Sequence, residues 1–326
     1  MINKKSNINI SVIVPAYNEA ESLPELCEWI DKVASSSNLS YEIIIIDDGS
    51  DDNTWSVLKD LSSKNINLKA LRFRTNYGKS AALNKGFEKA SGNIVITMDA
   101  DLQDSPEEIP MLYEMISNQG YDLVSGWKKK RYDPITKTIP TKLYNWAARK
   151  FSGIYLHDFN CGLKAYRLRV VKSIELYGEM HRYIPILAKR AGFINIGEKI
   201  VQHQSRKYGV TKFGIERFIN GFLDLLTVTF ISRFGKKPMH FFGVLGTLMF
   251  TIGFLLFGYI GGSQIYYMYL NVTAKNIAEM SGFYIALTSM LMGLQLFLVG
   301  FIGEMISRQA KDRNFYHIDE EINISD

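Results

Sequence analysis

Five carboxylates fall within ten residues directly after an apolar run. ITMDADLQDSPEE (96–108) carries Asp99, Asp101, Asp104, Glu107 and Glu108. Like charges this close repel, so something positive must sit among them. Asp99-Ala-Asp101 follows a predicted strand, and alternation turns both carboxylates to one side of the loop. Hard carboxylate oxygens suit Mg²⁺ or Mn²⁺, and a magnesium site typically completes its shell with water and substrate phosphate. The side-chain carbonyl of Gln103 is a further candidate ligand. Asp104, Glu107 and Glu108 lie around Pro106 at the start of the next predicted helix, where negative charge favours the helix dipole. These three are expected mostly to cap.

The positive residues gather elsewhere in the chain. GWKKKRYDPITKTIPTKLYNWAARK (126–150) is basic and follows a predicted strand. Its Lys128, Lys129, Lys130, Arg131, Lys137 and Lys142 are candidates for gripping a lipid phosphate and anionic headgroups; the alternative is a solvated surface loop. QSRKYGVTKF (204–213) is a second basic patch. The formal charge of +5 over 326 residues is too modest to imply nucleic acid. Cys27 and Cys161 show no metal-ligand or pairing pattern and read as buried free thiols. His157 and His203 lack metal-ligand spacing. Trp127, Trp146 and Tyr183 could stack on a sugar, line a lipid groove or simply pack.

These groups need a scaffold, and the apolar pattern supplies one. SVIVPAYNE (11–19), YEIIIIDDGSDDNT (41–54), LKALRFR (68–74), NIVITM (93–98) and DLVSG (122–126) read as strands, with helical periodicity between them, as at Leu23, Leu26, Ile30 and Val33. Strands alternating with helices imply an α/β domain with a mostly parallel, Rossmann-like sheet covered by helices on both faces. Ligands bind such sheets beyond the carboxyl ends of the strands, where Asp47, Asp48, Asp99 and Asp101 fall. No GxGxxG turn or Walker motif is present, which argues against a dinucleotide fold or a P-loop ATPase.

Two stretches are of another kind. Residues 239–262 and 283–303 contain no Lys, Arg, Asp or Glu. At ~1.5 Å per residue each is long enough to cross a hydrocarbon core of ~30 Å. Arg233, Lys236 and Lys237 precede the first; Arg308, Lys311 and Arg313 follow the second, which places both ends in the cytoplasm. Glu304 reads as a helix-end partner of Arg308, with a lipid-headgroup role as the alternative. Residues 213–234 mix Glu216, Arg217, Asp224 and Arg233 with Phe, Ile and Leu, and suggest an amphipathic helix on the inner leaflet. The N-terminus lacks an apolar signal segment, so the bulk of the chain is expected in the cytosol. The expected division is a catalytic domain over 1–212, a juxtamembrane helix over 213–237, a transmembrane hairpin over 238–306 and a cytosolic tail over 307–326.

VPAYNE, the DDGS at 47–50, NYGKSAALNKG (76–86) and DADLQDSPEE together resemble the family-2 glycosyltransferases of GT-A fold. The likeness is nearest to the polyprenyl-phosphate branch, dolichol-phosphate mannose synthases and bactoprenol glucosyltransferases. It covers residues 9 to about 212, and the two C-terminal spans match the bactoprenol type. The resemblance implies that Pro15, Tyr17 and Glu19 line a nucleotide pocket and that Asp48, with Asp47 beside it, contacts base or ribose. Lys79 would reach the nucleotide or its phosphates. Asp99, Asp101 and Gln103 would hold the metal that bridges the donor diphosphate. Arg206, Gly209, Thr211 and Lys212 match an Arg-x-x-Gly-x-Ser/Thr-Lys signature, so Arg206 and Lys212 would meet phosphates at the membrane surface. Asp158, in HDFNCGLKAYR (157–167), matches a position near the reacting centre, as base, orienting group or structural residue.

Inverting relatives often place an acidic base for a sugar hydroxyl where this chain has GEMHRYIP (178–185), with His181 and Arg182. A phosphate monoester is already ionised near neutral pH and needs positive charge more than a base. The expectation is therefore an inverting, metal-dependent transferase of the cytoplasmic membrane. It would move one sugar from a nucleotide sugar, UDP-linked by preference and GDP-mannose otherwise, to undecaprenyl or a related polyprenyl phosphate of the cell envelope. The spans could also fix a homo-oligomer. Three rivals stand beside it: a processive polysaccharide synthase, a non-catalytic nucleotide-sugar-sensing membrane scaffold, and a transferase to a protein or glycan. The first lacks its Gln-x-x-Arg-Trp motif, since residues 204–208 read QSRKY.

Overall fold

The computed structural model describes residues 8–129, 145–146, 148–150, 152–176, 178, 180–204, 207, 230, 234, 237–271 and 276–309. The chain divides into two compact units, residues 1–229 and 230–326.

Among the described residues the first unit is built on seven strands: β1 Ile10–Ala16, β2 Tyr41–Asp47, β3 Leu68–Arg72, β4 Ile94–Thr97, β5 Leu123–Trp127, β6 Lys164–Arg167 and β7 Ile196–Ile200. Their order is β3-β2-β1-β4-β6-β5-β7. The β1–β2, β1–β4, β2–β3 and β5–β7 pairs are parallel, and β6 runs antiparallel to both β4 and β5. The sheet is thus mixed, with the expected parallel half at β3-β2-β1-β4. β6 and β7 go beyond the five strands read from the sequence. KAYR and IGEKI are short and carry no apolar run, so neither announces itself by pattern.

Helices α1 (Leu23–Ser36), α2 (Thr54–Lys64), α3 (Lys79–Lys89) and α4 (Ile109–Ser117) follow β1, β2, β3 and β4 in turn. Two apolar cores flank the sheet. One joins Val12, Val14, Ile43 and Ile45 to Leu26 and Ile30 of α1 and Leu112 of α4. The other joins Ile13, Ile44 and Ile46 to Leu83 and Phe87 of α3 and to Tyr166 and Tyr183. Alternate residues of β1 and β2 feed opposite cores, as the period-2 geometry of strands requires.

A buried acid anchors this sheet far from its functional end. Glu42 is 1% exposed and receives Ser11 Oγ at 2.5 Å, Ser91 N at 2.8 Å, Ser91 Oγ at 2.7 Å and Lys69 Nζ at 2.6 Å. Burial alone would raise its pKa; Lys69, Ser11 and Ser91 outweigh that and lower it. A carboxyl with a lowered folded-state pKa adds stability that is present above its unfolded pKa, about 4.3, and is lost as pH falls through the folded value. The advantage of the native chain over Glu42→Gln should therefore be level from about pH 7 to about pH 5.5 and shrink below about pH 4. Urea unfolding of the two proteins across that range checks it.

Among the described residues, the second unit contains two helices, Met239–Tyr269 and Ser281–Ser307, long and apolar enough to cross a membrane. They pack through glycine. A Cβ on Gly293 would lie 2.5 Å from the Phe250 backbone nitrogen, and one on Gly246 would lie 2.6 Å from the Gly293 carbonyl oxygen. Ser289 Oγ donates to the Met249 carbonyl at 2.9 Å across the same seam. Such close backbone approach tolerates only small residues. Gly293→Leu should separate the helices and cost about 1–3 kcal/mol, read as earlier thermal unfolding in detergent. The expected juxtamembrane helix and C-terminal tail fall almost wholly outside the described residues.

Candidate active site

The loops at the carboxyl ends of β1, β2 and β4 meet the start of α3. Pro15 lies in β1 beside Ile46. Beyond it, Asn18 adopts a left-handed φ of 57° and donates its N–H to Ser50 Oγ at 2.9 Å, while its side chain accepts from Asp51 N at 3.1 Å. Glu19 donates its N–H to Thr54 Oγ1 at 2.9 Å and accepts from Ser22 Oγ. These bonds join the Tyr17–Glu19 loop to the loop after β2.

Asp47 is fully buried, accepts Ser50 N at 2.9 Å and pairs with Arg72 Nε at 3.2 Å. Asp48 accepts Tyr77 N at 2.8 Å and Gly78 N at 2.9 Å. Burial pushes the Asp48 carboxyl upward, those two N–H groups oppose it, and neighbouring Asp47 adds to the rise. Asp48 thus fixes the turn before α3. Gly78, with φ of 89°, opens the helix, and the next residue, Lys79, forms an ion pair with Asp99.

The acidic cluster resolves into separate contacts. Crowding of Asp99 by protein raises its pKa, but Lys79 and then Lys128 hold it well below the usual carboxylate range. Asp101 is 8% exposed and accepts Gln103 N at 3.2 Å. Between them Leu102 sits buried with φ of 59°, a costly conformation for a leucine that sharpens the turn after Asp101. Asp104 is fully buried and pairs with Lys128 Nζ at 2.7 Å. Burial would lower the Lys128 pKa; Asp104 and Asp99 raise it, so Lys128 is firmly cationic.

Of the three acids expected mostly to cap, Glu107 and Glu108 do stand in the first helical turn after Ser105, where the dipole favours them, but none of the three supplies the capping side chain. Ser105 accepts Glu107 N at 3.4 Å as the capping side chain. Glu107 instead accepts Trp29 Nε1 at 2.9 Å, and Glu108 pairs with Lys199 and accepts Gln202 N at 3.0 Å. Gln204 N donates to the Gln103 carbonyl at 2.9 Å. The chain leading into the second basic patch is therefore tied to the Asp99–Gln103 loop.

A small pocket beside Lys79 is lined by Asn160, Gly162, Lys164, His181 and Arg182. A Cβ on Gly162 would stand 2.5 Å from Asp99 Oδ2, so glycine leaves room for that carboxylate. Lys164 is 3% exposed and donates to the Cys161 carbonyl. Burial lowers its pKa, against Cys161 and Asp158. His181 is held through its backbone N–H and its Nδ1, each 3.0 Å from Ser80 Oγ on α3. Tyr183 is fully buried in the core rather than in the pocket. The Cys161 thiol is pushed by burial to about 12, which makes it a poor nucleophile.

Asp158 is 1% exposed; its side chain accepts Asn160 N at 3.0 Å and its own N–H donates to Glu198 at 3.0 Å. It shapes the loop that carries Cys161 and Gly162. Trp127 stacks on His157 with centroids 4.0 Å apart, and Lys129 lies 5.8 Å from the Trp127 ring. Lys130, Arg131, Lys137, Lys142, Arg206 and Lys212 lie outside the described residues. Sequence reasoning missed Gly162 and Lys164, although both stand in the quoted HDFNCGLKAYR.

Asp99, which pairs with Lys79 and abuts Gly162 of this pocket, and Asp101 and the Gln103 side-chain carbonyl on the same loop, are hard oxygen donors. Among the described residues no three His, Cys, Asp or Glu side chains form a ready metal site. Two carboxylates suffice for a magnesium-type ion that takes the rest of its shell from water and phosphate. Gly162, by lacking a Cβ, lets the Asp99 carboxylate keep its place at the end of β4, where it would be a ligand of such an ion.

Glycosyl transferase family 2 matches residues 11–174. Dodecaprenyl-phosphate galacturonate synthase of Rhizobium johnstonii is 34% identical over 307 residues, covering 93% of this chain and 88% of the relative. Undecaprenyl-phosphate 4-deoxy-4-formamido-L-arabinose transferase of Aeromonas hydrophila is 34% identical over 314 residues, covering 94% and 93%. In fold, the chain is similar to glucosyl-3-phosphoglycerate synthase of Mycobacterium tuberculosis in complex with Mn²⁺, uridine diphosphate and glucosyl-3-phosphoglycerate. The TM-score is 0.53 at 18% identity, over 70% of this chain and 81% of that one. With its Asp-x-Asp loop at the end of β4 and the extent of these matches, the chain belongs to glycosyl transferase family 2.

Proposed function

We propose that the protein transfers one sugar from a nucleotide diphosphate donor to a polyprenyl phosphate, at the cytoplasmic face of the membrane its two C-terminal helices cross. The observation that carries the reading is the pocket at the end of β4. There the Asp99 carboxylate is faced by Lys79, and Lys164, His181 and Arg182 line the same space. The cations Lys79 and Arg182, with Lys164 and His181 as further N–H donors, suit phosphate groups on both donor and acceptor. The polyprenyl-phosphate relatives above support the acceptor class.

In this reading the loops at 15–19 and 47–48 receive the nucleoside, with UDP preferred. Asp48 acts through the Tyr77–Gly78 turn, which delivers Lys79 toward the donor diphosphate. Asp99, Asp101 and Gln103 would hold Mg²⁺ or Mn²⁺, which would offset the charge of the leaving diphosphate. A phosphate oxygen of the lipid attacks the anomeric carbon in line. The bond from that carbon to the diphosphate oxygen breaks, and the nucleoside diphosphate departs with the electron pair, inverting the centre. Asp158 orients the pocket loop. Lys128 is paired with Asp104, so within this basic segment Lys129, Lys130, Arg131, Lys137 and Lys142 are the residues assigned to the acceptor phosphate, together with Arg206 and Lys212. The catalytic domain over 1–212 then faces the cytosol, joined by residues 213–237 to the hairpin.

Radiolabelled nucleotide sugars, offered one at a time with Mg²⁺ or Mn²⁺ and undecaprenyl phosphate, test this directly. Label entering the organic phase from one donor supports the reading and names the sugar. No label from any donor, with uridine diphosphate bound normally, contradicts it and favours the sensing scaffold.

A further inference from the structure

One hydroxyl decides what His181 can do in the pocket. His181 lies in the short 3-10 turn Met180–Tyr183, and its ring lines the pocket beside Lys79, Lys164 and Arg182. Imidazole is the side chain whose ordinary pKa falls nearest neutrality, so a histidine here is the natural general base. Water attacking the anomeric carbon of a bound donor must give a proton to such a base. An ionised phosphate has none to lose.

Ser80, the second residue of α3, is 1% exposed. Its Oγ accepts the His181 backbone N–H at 3.0 Å and stands 3.0 Å from His181 Nδ1. The same oxygen carries one hydrogen. Among the described residues Nδ1 is the acceptor in its reach, and a buried hydroxyl whose hydrogen has no acceptor is costly. The Ser80 O–H therefore donates to Nδ1, which must be unprotonated to accept it. In a neutral ring the remaining proton is then on Nε2. An imidazolium would turn the Ser80 hydrogen away from its acceptor. It would also add a cation beside Lys79, Lys164 and Arg182, and the Asp99 carboxylate that faces it is already paired with Lys79.

We propose that Ser80 is a positioning residue that sets acceptor specificity: it fixes His181 as the neutral Nε2–H tautomer, so the ring offers the pocket a hydrogen bond and not a lone pair. Water bound beside the donor then finds no histidine base, and an acceptor that arrives ionised, as a phosphate does, has the advantage. Without the Ser80 hydroxyl, the ring proton is able to sit on Nδ1 and bare the Nε2 lone pair. Nε2 then takes a proton from water as its oxygen bonds to the anomeric carbon, and the nucleoside diphosphate leaves with the electron pair of the broken bond. The consequence for transfer rests on the proposed function; the tautomer does not.

Nitrogen NMR of the full-length protein in detergent, ¹⁵N-labelled at histidine, tests the tautomer. The His181 signals, assigned by their loss in His181→Gln, should show a protonated Nε2 and a bare Nδ1 near neutral pH. Ser80→Ala should weaken that preference about tenfold, the reach of one buried hydrogen bond. Hydrolysis of the donor that labels lipid, with Mn²⁺ and no acceptor, should rise about tenfold in the same variant. Ser80→Thr keeps the hydroxyl and should match the native chain in both readouts. Adding His181→Gln to Ser80→Ala should remove the extra hydrolysis. A native ring protonated at Nδ1 overturns the proposal. So does hydrolysis at the native rate in folded Ser80→Ala, or a rise that persists without His181. The native spectrum decides the tautomer even where Ser80→Ala fails to fold. It does so whether or not sugar reaches lipid, so a failure of the proposed transfer is read separately, in the lipid assay.

Discussion

Asp99→Asn should lower sugar transfer by about 10²–10³-fold, the loss typical of removing one charge-stabilising group from an active site. The substitution keeps the shape of the side chain and its capacity to accept a hydrogen bond from Lys79, so the fold should stand. What disappears is the negative charge that Lys79 and Lys128 hold ionised and that a divalent ion needs. Asp101→Ala should behave alike, although its loss also frees the Gln103 N–H that closes the turn. Initial rates at saturating donor, with unfolding curves beside them, check both. Normal transfer by either purified variant would sink the metal assignment.

Gly162→Ala should cost about 10²-fold in transfer, with little loss of stability. The added methyl would meet Asp99 Oδ2 at 2.5 Å, Cγ at 2.7 Å and Oδ1 at 2.8 Å. None of these is ordinary contact, so the carboxylate must swing away from its place. Displacing a reacting or positioning group by about 1 Å is enough for a loss of that order. The neighbouring contact from Thr97 Oγ1 to the Gly162 carbonyl, at 2.9 Å, pins the loop and leaves it little room to yield. The loss should appear mainly in kcat, accompanied by weaker Mn²⁺ activation. An alanine variant with native rate and native metal response would show that Asp99 adapts and does not need this cradle.

The parts of the site that were legible in the sequence are those carried by a single strand and its following loop. Asp99 and Asp101 announce themselves because a buried run, Ile94–Thr97 and then Met98, ends directly before them. Asp47, the last residue of β2, and Asp48 just beyond it do the same. Lys164 and Gly162 were hidden for a topological reason. They belong to β6 and its approach, which enter antiparallel between β4 and β5. A rule built on alternating strands and helices places no strand there. The partners of the later acids were hidden by distance along the chain: Glu108 finds Lys199, Asp104 finds Lys128 and Glu107 finds Trp29. Local logic at Pro106 suggested capping, and tertiary contacts overrode it. His181 shows the opposite case. Its place in the motif drew attention, and Ser80 on α3 explains how it is held.

The central claim is that the acceptor nucleophile is a phosphate, which asks this site for positive charge and not for a base. A matched pair of acceptors, undecaprenyl phosphate and undecaprenol, offered with the same labelled donor and the same metal, tests it most directly. Label should enter the phosphate-bearing lipid alone, with release of one nucleoside diphosphate per sugar transferred. Comparable transfer to undecaprenol would mean that the enzyme activates a hydroxyl, and it would contradict the reading of Lys79, Lys164, His181 and Arg182 as a phosphate-binding pocket.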